Sequence, residues 1–202
     1  MAKQKFQILR SKCVPLPLDN IDTDQIIPAR YLKTVDKEGM GSHLFHDWRF
    51  HSDGTRKDGF VLNNPLYEGC VLLVGRNFGC GSSREHAAWA LAGYGFRAVV
   101  STSFADIHKQ NELNNFVLPV VVTAPFFNDL VKSVADDPDT EVEINLFNQT
   151  ITNLATGQSQ KFEINGYKRL CFLNGQDDID FLLASKNLIE AWEQNGEMES
   201  NL

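Results

Sequence analysis

From residue 69 onward, apolar residues come in short blocks separated by helix-length stretches. Val71–Val74 is an unbroken apolar run, the mark of a strand buried on both faces. A glycine-rich turn, Gly79-Cys80-Gly81-Ser82-Ser83, follows it, and residues 84–94 have the Ala-, Leu- and Trp-rich character of a buried helix. The alternation repeats. An apolar strand is expected at 98–101, a helix at 104–114 ended by an Asn-Asn pair, a β-branched strand at 117–122, and a helix at 125–135 with proline in its first turn. Past Pro138 the period shortens to two: Val142, Ile144 and Leu146 alternate with Glu141, Glu143 and Asn145, the pattern of a half-buried strand. Residues 151–154 and 161–164 extend it into a meander through a Thr156-Gly157 turn. The stretch 177–195 carries Ile179, Leu182, Leu183, Ile189 and Trp192 and reads as one or two helices, making 177–202 a helical tail. Upstream, 19–30 is a turn-rich loop with a short apolar segment stopped by Pro28. Residues 36–65, rich in Gly, His, Asp and Asn, read as a long surface excursion, of a length uncommon unless functional or mobile. Strands alternating with helices, then a meander, predict a single α/β domain over 1–202 with a partly mixed sheet.

Composition narrows the classes of function. With 43% hydrophobic and 22% charged residues the chain is ordinary for a globular protein. Its net charge of −7 argues against general nucleic-acid binding, because a phosphate backbone would be repelled. A small anion is still acceptable where cations cluster. No stretch approaches the roughly 20 apolar residues that span a bilayer. The start, MAKQKFQILRSKC, has no secretory apolar core, so a cytoplasmic location is expected. Cys13, Cys70, Cys80 and Cys171 are far apart and form no C-x-x-C pair. Metal and iron–sulfur sites usually draw two ligands from such a pair, and disulfides are rare in a reducing compartment, so the chain is expected to hold neither cluster nor bridge of its own.

The strand–turn–helix at 71–94 concentrates the candidate chemistry. Glycines in the turn allow close backbone approach, and a helix start presents unpaired N–H groups at the positive end of its dipole. Together they make an anion site. Arg84 adds a fork suited to a carboxylate, and Ser82 and Ser83 place two hydroxyls beside it. A serine among donors and cations can act as a base. The same spacing fits a capping box, with Ser82 as N-cap and Glu85 reaching back, which is the commoner use of S-x-x-E. A Rossmann fingerprint would need a glycine where Arg84 stands, and the G-x-S-x-G frame of a nucleophile elbow is absent. Cys80 near a helix start could be an activated thiol, but no histidine stands in an obvious partnering position. His43, His46, Asp47 and His51 lie in a loop without ligand spacing and read as solvated.

The run from Gly75 to Ala87, GRNFGCGSSREHA, resembles the swivelling domain of the aconitase superfamily and, within it, the small-subunit family of the 3-isopropylmalate dehydratases. Residues 20–28 (NIDTDQIIP), 44–49 (LFHDWR) with 60–63 (FVLN), and 104–107 (FADI) through Asn111 to Pro119 match further motifs in order. The resemblance implies a swivelling β/β/α domain like the aconitase C-terminal domain, with a mixed sheet and C-terminal helices. It implies Ser82 as catalytic base, Asp24 as an acidic residue supporting the site, and Ser83 and Arg84 as substrate-carboxylate ligands. The loop 31–36 is expected to meet the substrate's substituent, with Lys33 and Thr34 as substrate-binding candidates. A further substrate arginine of the superfamily's early loop is not identified; Lys33 and Arg49 are the candidates. The implied activity is a hydro-lyase of leucine biosynthesis, isomerising 2-isopropylmalate and 3-isopropylmalate through isopropylmaleate. The implied Fe4S4 cluster, whose open iron takes the departing hydroxyl, sits on a separate large subunit, in a heterodimer or heterotetramer. Two alternatives stay open: the small subunit of a related hydro-lyase (homoaconitase or methylmalate dehydratase), which a third cationic ligand in the 31–36 loop would favour, and a non-catalytic dicarboxylate-binding domain. Leu32 and Val35 lean towards an isopropyl substituent.

Overall fold

The computed structural model describes residues 4–33 and 36–199, with side chains given up to residue 193. The chain forms two compact units, Ile8–Ile164 and a smaller one drawn from both ends, Met1–Gln7 with Asn165–Leu202.

The larger unit is built on a seven-stranded mixed sheet. In chain order its elements are β1 (Ile8–Leu16), α1 (Thr23–Ile26), α2 (His46–Arg49), β2 (Val71–Val74), α3 (Glu85–Tyr94), β3 (Ala98–Ser101), α4 (Asp106–Asn114), β4 (Leu118–Val121), α5 (Ala124–Asp136), β5 (Glu141–Asn145), β6 (Thr150–Asn153) and β7 (Ser159–Lys161). The strand order is β4-β3-β2-β1-β5-β6-β7. Neighbours from β1 to β4 run parallel, and β5, β6 and β7 add antiparallel. The parallel strands β2 and β3 are buried at every position, which is why they appear in the sequence as continuous apolar runs. β4 lies at the sheet edge and accommodates Pro119, which has no N–H to give to a further strand.

Strand β1 has no counterpart among the expected elements. Its sequence, ILRSKCVPL, mixes charges and a proline, and its burial follows no simple period. The physical reason is a change of partner. Ile8–Lys12 pairs with β5, whereas Cys13–Leu16 pairs with β2. The strand therefore never has one uniform environment, and Pro15 falls where the β5 side has ended.

Residues 36–65 depart from the solvated excursion their composition suggests. Met40, Leu44, Phe45 and Leu62 are buried in the main core beside Val74, Phe78 and Leu91. Single 3-10 turns at Met40–His43 and Val61–Asn63, with α2 between them, bring these residues inward. Gly41 makes this possible: a Cβ there would lie 2.2 Å from the backbone of Gly93 in α3. The third meander strand also sits slightly earlier than expected, at Ser159–Lys161.

In the smaller unit, α6 (Gly166–Asn174) was not anticipated, while α7 (Asp178–Ala184) and α8 (Lys186–Glu199) form the expected helical tail up to the last described residue. Asn165 caps α6 by accepting from the N–H groups of Tyr167 and Lys168. Phe6 donates its N–H to the Phe172 carbonyl at 2.9 Å, and their rings meet edge-on at 6.0 Å.

Candidate active site

Three segments leaving the C-terminal ends of β1, β2 and β3 run side by side. On one flank of the β2 extension, Asn20 N–H donates to Arg76 O at 2.8 Å, Gly79 N–H to Ile21 O at 2.8 Å, and Thr23 N–H to Cys80 O at 2.9 Å. On the other flank, Phe78 N–H donates to Ser103 O at 3.2 Å and Ala105 N–H to Phe78 O at 2.9 Å. The middle ribbon then bends at Gly79 (φ +74) and Gly81 (φ +91), conformations that favour glycine. The bend lies beyond the carboxyl ends of parallel strands, where open α/β sheets bind ligands.

The capping box read from the sequence does not form. The Ser82 carbonyl accepts from Thr23 Oγ1 at 2.9 Å, and the backbone is still extended at Arg84 (φ −130, ψ 107). Helix α3 therefore starts at Glu85, with Arg84 in the N-cap position and no side-chain cap. Glu85 turns to Asn115, whose Nδ2 donates to its carboxylate at 3.0 Å and is the leading cause holding that carboxyl below its ordinary pKa. Ser82 and Ser83 are left exposed. Helix α4 is likewise uncapped, because Ala105 at its N-cap position has no acceptor side chain.

These two helix starts flank one cavity of about 260 Å³. Its wall comprises Ser82, Ser83 and Arg84, the turn glycines, Thr23, and residues 105–108. First-turn residues 106–108 of α4 and the two serine hydroxyls line this space, beside the N-cap Arg84 of α3. Asp106 is the acidic side chain on that wall and opposes part of the positive potential. Arg84 pairs through Nη1 with Asp24 Oδ1 and is only 17% exposed in its side chain. Asp24 belongs to α1, a single turn locked by its own capping box: Asp22 Oδ1 accepts from Gln25 N–H, and Gln25 Oε1 from Asp22 N–H, both at 2.9 Å. Asp24 thus orients the arginine fork from behind.

Other candidates lie elsewhere. Lys33 lines a separate cavity of about 290 Å³ with Arg30, Tyr31, Glu38 and His43. Thr34 and Val35 lie outside the described residues. Arg49, a candidate for a substrate arginine, is 7% exposed and committed to structure. It donates to Leu44 O at 3.2 Å and lies over the rings of Phe50 and Tyr94 at 5.0 and 4.9 Å. Burial holds its pKa below the ordinary guanidinium value. His43 stacks on Tyr31 at 3.8 Å, and Arg30 bonds Asp47. Burial and the neighbouring His46 and Arg30 lower the His43 pKa. Among the described residues no group of three or more His, Cys, Asp or Glu could hold a metal ion. The sequence reading missed Thr23, Asp106 and His108 as wall residues. Thr23 and Asp106 fall inside the stretches 20–28 and 104–107 that carry the resemblance, and His108 follows the second of them.

Residues 3–125 match the family model of the aconitase C-terminal domain. A protein of Azobacteroides pseudotrichonymphae named 3-isopropylmalate dehydratase small subunit is 56% identical over 195 residues, covering 96% of this chain and 99% of that protein. The like-named protein of Cytophaga hutchinsonii is 51% identical over 199 residues, covering 98% and 99%. The chain belongs to the aconitase C-terminal domain family, in its 3-isopropylmalate dehydratase small-subunit branch. A solved structure of 3-isopropylmalate dehydratase from Methanocaldococcus jannaschii superposes with a TM-score of 0.66 at 29% identity, covering 93% of this chain and 99% of that one. The mixed α/β architecture is thus the family's. The span matched by the aconitase C-terminal domain model contains every segment that walls the serine cavity.

Proposed function

We propose that this chain supplies the proton-transfer and carboxylate-binding half of a 3-isopropylmalate dehydratase, interconverting 2- and 3-isopropylmalate through isopropylmaleate. The observation that carries the reading is the meeting of Ser82, Ser83 and Arg84 with two uncapped helix starts on one cavity. A malate-type substrate brings two carboxylates. Arg84 takes one in its fork, held in register by Asp24, while Ser83 and the helix-start N–H groups bind beside it. Ser82 removes the proton from the carbon next to that carboxylate. The negative charge that develops there moves toward donors already in place, which is the main source of rate in such sites. On rehydration Ser82 returns a proton to the neighbouring carbon. Lys33 faces a different cavity and plays no part in this scheme.

The Fe4S4 cluster implied by the family does not fit the described residues of this chain. Cys13 is buried, and that burial pushes its thiol pKa up, away from the thiolate a cluster needs. Among the described residues no group of three or more His, Cys, Asp or Glu is placed to hold a metal. The proposal therefore assigns the cluster to a large subunit, and the active species to a complex of the two chains. No helix among the described residues is long and apolar enough to cross a membrane, and the reading places the complex in the cytoplasm.

The test mixes the purified chain with a cluster-bearing large subunit under anaerobic conditions and follows 2-isopropylmalate, with methylated malates and homocitrate-type acids for comparison. Turnover should appear only in the mixture, saturate at a fixed subunit ratio and be fastest with the isopropyl substrate. Turnover or iron–sulfur absorbance in the isolated chain would overturn the division of labour, and preference for a tricarboxylate would reassign the substrate.

A further inference from the structure

Behind the serine turn lies a buried ionisable pair that the proposed reaction does not use. His108, in the first turn of α4, is 2% exposed, and Glu112, one turn later, is 0% exposed. His108 Nε2 stands 3.0 Å from Glu112 Oε1, a close polar contact without hydrogen-bond alignment. Burial is the leading cause raising the Glu112 pKa, opposed by His108 and then Lys109. Both ring nitrogens of His108 and both carboxylate oxygens of Glu112 are buried without a hydrogen-bond partner in the protein. Such a pair loses more hydration on burial than two apolar side chains of the same volume, so packing alone would select against it.

The His108 ring touches the site through Gly79. A Cβ at Gly79 would fall 2.1 Å from Cγ and Cδ2 of the ring, so the imidazole occupies the place where a side chain would stand. Phe78 closes the ring's other contact, edge-on at 5.1 Å. The turn is thus gripped from two directions. Thr23 holds Cys80 and Ser82 by hydrogen bonds, and His108 sets the position of Gly79 by contact while itself forming part of the cavity wall.

We propose that His108 is a positioning residue for the serine turn: anchored by Glu112, its ring fixes where Gly79, and through it Ser82, stands relative to the start of α4. The inference rests on the reading of the Ser82 cavity as the substrate site. It explains why a polar pair occupies a position that an apolar pair could fill. The 3.0 Å contact with Glu112 ties one edge of the ring to a fixed point, which dispersion contacts alone define less sharply.

The test measures kcat and KM for 2-isopropylmalate in the full two-subunit complex. Glu112→Leu, which keeps volume and removes the anchor, should lower kcat about 10- to 100-fold with KM nearly unchanged, the size of loss that small misplacement of a catalytic group produces. Glu112→Gln, which keeps a polar group at that contact, should restore kcat to within about threefold of the parent. His108→Phe, which keeps a flat ring without the polar contact, should resemble Glu112→Leu and decides the question if that variant does not fold. Val134→Ala, in the core of α5, serves as a control that lowers melting temperature while leaving kcat unchanged. Parent-like kcat in both Glu112→Leu and His108→Phe, or a loss that Glu112→Gln fails to reverse, overturns the positioning role. Ser82→Ala run in parallel separates the two claims. If it turns over at the parent rate, the site reading itself falls. If it is inactive while the His108 and Glu112 variants are normal, only the positioning role falls.

Discussion

The two halves of the sheet use their polar groups in opposite ways. In the antiparallel half, β5 to β7, the connections are tight and satisfy themselves. Asn145 Oδ1 accepts from the N–H groups of Phe147 and Asn148, Asn153 Oδ1 from Ala155, and Thr156 Oγ1 from Gln158. Asn153 Nδ2 is committed to Asp129 and Ser133 of α5. In the parallel half each strand must be followed by a crossover helix, and every crossover begins at the same edge of the sheet. There α3 and α4 start without side-chain caps. Helix α5, which leads from β4 to the antiparallel β5, also starts without a side-chain cap, but its N-cap residue Thr123 gives both its N–H and its hydroxyl to Gln160 of β7. The parallel half thus sets uncapped helix starts beside the serine turn, whereas the loops of the meander satisfy themselves.

The largest expected effect is at Ser82. Ser82→Ala should lower isomerisation by roughly 10²–10⁴-fold, the scale for removing a positioned base. Because Ser82 is exposed and does not cap α3, its melting temperature should stay that of the parent, as for an ordinary surface substitution. A lower melting temperature with normal turnover would return Ser82 to a structural role.

Next in size is the arginine fork. Arg84→Lys keeps the charge but loses planar, two-point recognition, and should reduce kcat/KM by about tenfold or more. Asp24→Asn should give a smaller loss of the same kind, since it frees the fork without removing it. Unchanged kcat/KM in Arg84→Lys would remove this residue from the substrate site.

A matched pair of glycines compares the halves directly. Gly79 and Gly157 have nearly the same left-handed backbone, φ +74 and +75. At Gly157 an added Cβ meets nothing within 4 Å, whereas at Gly79 it collides with the His108 ring. Gly157→Ala should cost about 1 kcal/mol from backbone strain and leave activity intact. Gly79→Ala should cost roughly 2–4 kcal/mol and reduce kcat as well. Denaturant unfolding with parallel kinetics checks both, and equal behaviour of the two variants would deny the difference between the halves.

The smallest effect concerns pH. Burial raises the Glu112 pKa above its ordinary value of 4.5. The folded protein therefore retains a proton there that the unfolded chain releases, and stability falls as pH rises from the unfolded value through the folded one. Glu112→Gln removes this dependence, so its melting temperature relative to the parent should increase above about pH 4.5. A difference flat with pH would mean that His108 and Lys109 offset the burial.

The sequence by itself determined the local features of this protein. The apolar runs of β2 and β3 mark strands buried on both faces, the period-two pattern marks β5, and the Gly79-x-Gly81-Ser82-Ser83-Arg84 turn marks the candidate site, because each depends on residues close together in the chain. What depends on distant residues became visible only in the tertiary structure. β1 was illegible because it changes partner at Lys12–Cys13, so no single face imposes a pattern. The stretch 36–65 looked solvated because polar residues outnumber Met40, Leu44, Phe45 and Leu62, and only packing against α3 shows these as core. The capping frame shifted to Arg84 because Thr23, 59 positions away from Ser82, holds the turn extended. The pairing of Arg84 with Asp24, the burial of Arg49 and the contact of His108 with Gly79 are likewise decided by chain crossings that no local spacing encodes. Local propensity chose the elements and the chemistry they carry, and long-range packing chose which side chains meet.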